Sequence, residues 1–214
     1  MVCRRTGSLA QFAVPGRRSL TYTMPPLDHF GLLAPLYDRL IRAPDTGTLA
    51  RLAALPAPGR LLDVGGGTGR IAQPLVSLID SVVVADGSLD MLRQARSKPG
   101  LRLAAAYAER LPFANGTFER VIIVDAYHHL EDQEASLREL LRVCVPGGCL
   151  VVEEPDITRI AVWAIAVFER LALMRSHFRR AETIARQLQR MGAAATIHRQ
   201  DATVWIVAKP ASSA

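Results

Sequence analysis

Four of the five residues Gly65-Gly66-Gly67-Thr68-Gly69 are glycine, and they follow a short apolar run, Leu61-Leu62-Asp63-Val64, that carries a carboxylate near its end. Residues of these types in this order describe a buried strand entering a loop whose backbone must approach a ligand closely, with a helix beyond. The spacing restricts the ligand. A dinucleotide fingerprint needs a small residue at position 70, where Arg70 stands. A P-loop needs Gly-Lys-Ser/Thr, which does not follow. Gly65, Gly67 and Gly69 spell G-x-G-x-G, led by Asp63.

Further acidic residues end further apolar runs. Asp86 closes Val82-Val83-Val84-Ala85 about 20 residues after the loop, where a carboxylate can accept hydrogen bonds from both hydroxyls of a ribose. Its alternative role, capping the helix that begins near Ser88, can be filled by Ser88 itself. Asp125 closes Val121-Ile122-Ile123-Val124, and Glu153 with Glu154 closes Leu150-Val151-Val152. The two glutamates face the cleft or cap the next helix. Beyond Asp125 and Ala126 come Tyr127, His128 and His129, three groups able to take up a proton. His128 leads, followed by His129 and Tyr127; packing and helix initiation are the competing roles. Adjacent ring ligands with no third ligand at metal spacing exclude a zinc site.

The elements that position these residues alternate regularly. Strands are expected at 60–64, 81–86, 101–106, 119–125 and 148–154, with helical stretches at 69–79, 88–97 and 132–144. That alternation means a parallel sheet with helices on both faces, and ligands of such sheets bind outside the carboxyl ends of the strands. A helix is expected at 28–43, kinked at Pro35, and others at 157–175 and 181–191. Strands at 194–199 and 203–209, joined through Gln200-Asp201, form a closing hairpin.

Five segments resemble, in order, the motifs of the class I S-adenosylmethionine (SAM) methyltransferases. They are the glycine loop, Asp86-Gly87-Ser88-Leu89-Asp90-Met91-Leu92, Tyr107-Ala108-Glu109-Arg110-Leu111-Pro112-Phe113, the run from Phe118 to Leu130, and Val145-Pro146-Gly147-Gly148-Cys149-Leu150. The opening Phe30 to Asp38 is similar to that of the menaquinone and ubiquinone C-methyltransferases. The resemblance implies a Rossmann-like α/β fold: a mostly parallel seven-stranded sheet with an antiparallel C-terminal hairpin. It implies SAM as cofactor, held by Asp63, Gly65, Gly66, Gly67, Gly69, Asp86, Gly87, Met91, Tyr107, Ala108, Glu109 and Asp125, with Tyr37 on a lid helix. Tyr107 stands where the family carries an aspartate toward adenine, so the backbone of Ala108 and the Tyr107 ring inherit that contact. The acceptor it implies is a quinol-type ring carbon. Other small metabolites methylated on oxygen or nitrogen remain open, as does a SAM-binding protein without turnover.

Composition adds bounds. The 214 residues carry a net charge of +6, and only Lys98 and Lys209 of the 26 basic residues are lysine. The arginines are scattered with no basic block among aromatics, which argues against nucleic acid as partner. Cys3, Cys144 and Cys149 form neither a disulfide set nor a metal pair, so the chain reads as cytoplasmic and metal-free. No apolar stretch is long enough to span a bilayer; the 160–174 stretch allows at most peripheral membrane contact. Residues 1–23 resemble a transit peptide or an over-extended start ahead of Met24, and are expected to lie outside a single domain at 24–214.

Overall fold

The computed structural model describes residues 46–159 and 177–211. The expected helix at 28–43 with Tyr37, the segment 1–23 and most of the 157–175 stretch lie outside the described residues.

Among the described residues seven strands form one sheet: β1 (Arg60–Val64), β2 (Ser81–Asp86), β3 (Leu101–Ala105), β4 (Phe118–Val124), β5 (Cys144–Pro155), β6 (Ala193–Gln200) and β7 (Thr203–Pro210). Their order is β3-β2-β1-β4-β5-β7-β6. The first five run parallel, and β7 enters antiparallel to both β5 and β6. The helices are α1 (Thr46–Leu52), α2 (Ala72–Leu75), α3 (Leu89–Ala95), α4 (Gln133–Val143) and α5 (Ala181–Arg190).

Side chains alternate across a strand, so neighbours in one run serve opposite faces. Leu62, Val121, Ile123, Leu150 and Val152 pack beneath Leu137 and Leu140 of α4 and Ile184 and Leu188 of α5. Leu61, Val82, Val84, Ile122 and Val151 pack against Leu49 of α1, Leu75 of α2 and Leu92 of α3. Continuous apolar runs are what a sheet covered on both faces requires. Each fully buried leucine or isoleucine contributes about 1.5–3 kcal/mol.

The strand order reverses where β2 and β4 flank β1, the point beyond whose carboxyl ends open α/β sheets bind their ligands. The expected strands appear with small changes. β5 begins at Cys144 rather than 148, and its pairing with β4 shifts register between Phe118 and Arg120. The helix expected over 69–79 is cut to Ala72–Leu75 and a 3₁₀ turn at Val76–Leu78. Gly69, at φ +73°, holds a left-handed turn that a helix cannot contain. The short α1 was not expected; it buries only Leu49 fully. The hairpin turns at Asp201, with Gln200 opposite Thr203.

The loop after β3 is held from α4. The Arg142 guanidinium donates to both carboxylate oxygens of Glu139 (2.6 and 2.7 Å), to the carbonyls of Phe113 (2.8 Å) and Leu111 (3.1 Å), and to Asn115 Oδ1 (2.9 Å). Glu139 accepts the Leu111 N–H at 2.9 Å. The pairing holds the Glu139 carboxyl below its ordinary range and raises Arg142. Charge-assisted two-pronged bonds of this kind are the strong ones. Arg142→Ala is expected to lower stability by about 1–3 kcal/mol, a drop of roughly 3–8 °C in thermal midpoint. Arg142→Lys should recover part of it; an unchanged midpoint in the alanine variant would show that the clamp carries no weight.

Candidate cofactor and acceptor site

The glycine loop leaves β1 through a hydrogen bond from Gly65 N–H to the Ala85 carbonyl (2.7 Å) and tightens through Gly69 N–H to the Gly66 carbonyl (2.8 Å). Gly65 and Gly67 have φ of +68° and +54°, where side chains are strained. A Cβ on Gly66 would stand 2.5 Å from Asp63 Oδ2, whereas one on Gly67 would meet Met91 Sδ only at 3.8 Å and Asp86 Oδ2 at 3.9 Å. The loop is anchored on two sides. Asp86 Oδ2 accepts the Gly67 N–H (2.8 Å) while Oδ1 accepts the Ser88 N–H (2.7 Å), and Lys98 Nζ donates to the Thr68 carbonyl (2.8 Å). Ser88 caps α3 by accepting the Met91 N–H at 3.4 Å, which leaves Asp86 to the loop.

Asp63 is fully buried beneath this loop, and neither carboxylate oxygen has a hydrogen-bond partner among the described residues. An ionised, unpaired carboxylate in that position would cost several kcal/mol. Burial, with Asp86 and Glu153 adding negative charge, pushes it up to about 8 against a smaller opposing pull from Arg70. A buried acceptor without a donor, under a backbone cradle and beside a second carboxylate, suits a cationic amino group. It disfavours an anionic pyrophosphate.

Around this centre the expected cofactor residues gather unevenly. Asp63, Gly65, Gly66, Gly67, Gly69, Asp86 and Met91 form one cluster at the ends of β1 and β2. The Tyr107 ring lies against Gly87, where a Cβ would be 3.0 Å from Tyr107 Cε1, and the residue is 42% exposed at the rim. Ala108 is buried behind it. Glu109 turns away from this cluster, accepting the Asp132 N–H at 3.3 Å. Asp125 is exposed with φ +53°, and its N–H donates to the Glu153 carbonyl (3.0 Å).

The three proton-acceptor candidates diverge. Tyr127 is enclosed in the core with its hydroxyl donating to the Gln133 carbonyl at 3.4 Å, and burial pushes the phenol up. A buried phenol pushed up in this way is a poor match for the expected proton-acceptor role. Burial and the neighbouring His128 push His129 down to about 3, so its imidazole is neutral and weakly basic at neutral pH. His128 is 3% exposed; its Nδ1 lies 2.7 Å from Glu154 Oε2, and its ring stacks on Phe178 at 4.3 Å and 12°. Glu154 Oε1 accepts the Tyr127 N–H at 3.0 Å. Neither Phe178 nor this pairing was expected. The acidic end of β5 was the signal for it, but which face Glu154 serves depends on the register of β5. Glu153 serves the opposite face, accepting from Trp205 Nε1 at 2.7 Å.

The fold is that of the class I methyltransferases. YcgJ from Bacillus subtilis superposes with a TM-score of 0.69 over 78% of this chain and 98% of its own, at 16% identity. A DhpI–SAH complex gives 0.65 over 86% and 95%, at 19% identity. Residues 62–152 match the family model described as methyltransferase domain. The demethylmenaquinone methyltransferase of Beutenbergia cavernae is 41% identical over 118 residues, covering 55% of this chain and 48% of the relative. That of Thermus thermophilus is 40% identical over 139 residues, covering 58% and 63%. The chain thus spans about half to three fifths of the length of these relatives. Residues 62–152 thus match a methyltransferase domain by sequence, lie in a fold shared with solved methyltransferases, and are similar to enzymes of the menaquinone and ubiquinone biosynthesis group.

The raised Asp63 has a signed consequence for stability. A carboxyl whose folded value lies above its unfolded value binds more protons when folded, so folding weakens as pH rises from about 4 to about 8. Asp63→Asn removes that loss. Its thermal midpoint should match the parent near pH 4 and exceed it increasingly toward pH 8. A constant difference across this range would contradict the buried, unpaired assignment.

Proposed function

We propose that the chain is a SAM-dependent methyltransferase that places a methyl group on a ring carbon of a quinol-type small molecule, with a demethylmenaquinol-like acceptor. The observation that carries the reading is the orphaned Asp63 carboxylate beneath the glycine loop. SAM bears an α-ammonium and a sulfonium, and its uncharged adenosine asks for no anion site. The names of the relatives at about 40% identity supply the acceptor class.

When bound, SAM supplies an activated methyl group and its own leaving group, so the protein contributes positioning, dehydration and proton removal. In this reading Asp63 ionises against the ammonium, and the backbone of Gly65 and Gly67 holds the amino-acid tail. Asp86 keeps its two backbone bonds and accepts ribose hydroxyls with its remaining lone pairs. Tyr107 and the Ala108 N–H border the adenine. His128 takes the proton that the acceptor releases. The partner is a lipophilic small molecule rather than a nucleic acid, met at most at a membrane surface from the cytoplasm. Among the described residues no helix is long and apolar enough to cross a membrane.

A ligand present at a hundred times its Kd stabilises by about 2.7 kcal/mol. SAM and S-adenosylhomocysteine should therefore raise the thermal midpoint of the full chain by roughly 5–10 °C, with NAD leaving it in place. Asp86→Ala should abolish the rise. Methyl-labelled SAM with a short-prenyl demethylmenaquinol should yield a product labelled on the ring carbon. No midpoint change with either SAM or S-adenosylhomocysteine would end this reading.

A further inference from the structure

We infer that cofactor uptake at this site expels a proton. Asp63 is a carboxylic acid in the free chain, and it loses its proton to solvent when a ligand's ammonium group enters the glycine-loop cradle. Binding therefore strengthens as pH rises. The inference rests on the methyltransferase reading of the same site and adds to it a coupling that selects ligands carrying an amino-acid tail.

Three observations carry it. Asp63 is 0% exposed, and neither carboxylate oxygen has a hydrogen-bond partner among the described residues. The carboxylate also lies against the cradle itself: a Cβ on Gly66 would stand 2.5 Å from its Oδ2 and 2.6 Å from its Cγ. Unlike Gly65 and Gly67, Gly66 does not sit in the left-handed region, so what a side chain there would disturb first is this carboxylate. Finally, the charged groups facing Asp63 add to the effect of burial. Asp86 on β2 and Glu153 on β5 bring negative charge, and Arg70, just after the loop, opposes them. Asp86 is engaged with the Gly67 and Ser88 N–H groups, Glu153 with Trp205 Nε1, and Lys98 with the Thr68 carbonyl.

An unpaired carboxylate in this enclosure costs less to protonate than to ionise, since the charged form gives up its hydration with no bond in return. The acid form persists up to about pH 8. A cation seated on the loop reverses that balance. The carboxyl O–H bond breaks, its electron pair stays on oxygen, and the proton passes to the buffer. The carboxylate and ammonium left behind are together neutral. The complex thus holds one proton fewer than its separated parts, and affinity rises with pH. Below about pH 7.5 the ligand's own amino group stays cationic, so the pH dependence there belongs to Asp63. SAM and S-adenosylhomocysteine carry the same ammonium and differ at sulfur, so both expel the proton. 5′-Methylthioadenosine keeps the adenosine and a thioether but lacks the amino-acid tail, and it leaves Asp63 protonated.

Isothermal titration of the full chain with S-adenosylhomocysteine near about pH 6.5, in buffers of different ionisation enthalpy, counts the protons. The expected count is about one released for S-adenosylhomocysteine and none for 5′-methylthioadenosine. Over the range from about pH 5.5 to about pH 7.5, Kd for S-adenosylhomocysteine should fall roughly tenfold per unit. Infrared spectra give a second readout that needs no binding by the variant. The free parent should show a protonated-carboxyl band that is missing from Asp63→Asn and that disappears from the parent when S-adenosylhomocysteine is added. Measurable binding with no proton released overturns the inference and leaves the methyltransferase reading standing. So does a band that survives the ligand, or a release that persists in Asp63→Asn. An equal release with 5′-methylthioadenosine overturns the ammonium as trigger, and the inference with it. No binding of either SAM or S-adenosylhomocysteine would instead end the methyltransferase reading, on which this inference stands.

Discussion

β1 is hydrogen-bonded on both edges, to β2 and to β4, and covered on both faces. The chemistry of the site depends on that enclosure. A strand paired and covered in this way has no route to water for its side chains, so Asp63, one residue before its end, is buried by architecture. The same pairing places the exit of β1 at the point where the strand order reverses, beside the ends of β2 and β4. The cradle and the carboxylate beneath it are two consequences of one strand position. A more exposed Asp63 would be solvated, ionised and indifferent to a cationic ligand.

The anchors of the glycine loop follow from the neighbouring strands. β2 pairs with β1 from Arg60 opposite Ser81 to Val64 opposite Ala85, so Asp86 emerges one step beyond the last pair, level with the loop. Its carboxylate reaches the Gly67 N–H and the Ser88 N–H together because both belong to turns leaving that edge. Lys98 closes the far side through the Thr68 carbonyl. A loop held at both ends loses little freedom when a ligand arrives, which is the physical meaning of preorganisation.

β1, β2, β4 and β5 were legible because buried parallel strands are written as apolar runs with a carboxylate at or near the end, and no strand boundary moved by more than four residues. Helix limits were less legible. The 69–79 pattern contains Gly69 and Pro74, and the left-handed Gly69 delays the helix to Ala72. α1 has too few apolar positions to announce itself. Within the candidate site, the positions of the glycine loop, Asp63 and Asp86 at strand ends could be read because they are set by neighbours in sequence. The split among Tyr127, His128 and His129 could not. It is decided by partners 26 and 50 residues away, Glu154 and Phe178. Arg142 and Glu139 were silent for the same reason, since a charged pair on a helix resembles any solvated face until the loop it clamps is in place.

Glu153 and Glu154 show how far adjacency in sequence can separate roles. β5 pairs with β4 so that Val124 stands opposite Glu153, which places Glu154 level with the turn that follows β4. Because successive side chains point to opposite faces, Glu153 enters the side of the sheet holding Asp63 and Trp205, where its charge helps keep Asp63 protonated. Glu154 enters the side holding Tyr127 and His128. A one-residue slip that brought Pro155 to the place of Glu154 would leave His128 opposite an apolar side chain and move Glu154 to the Asp63 face. The parallel pairing of β4 and β5 therefore does more than close the core: it decides which carboxylate faces Asp63 and which one holds His128.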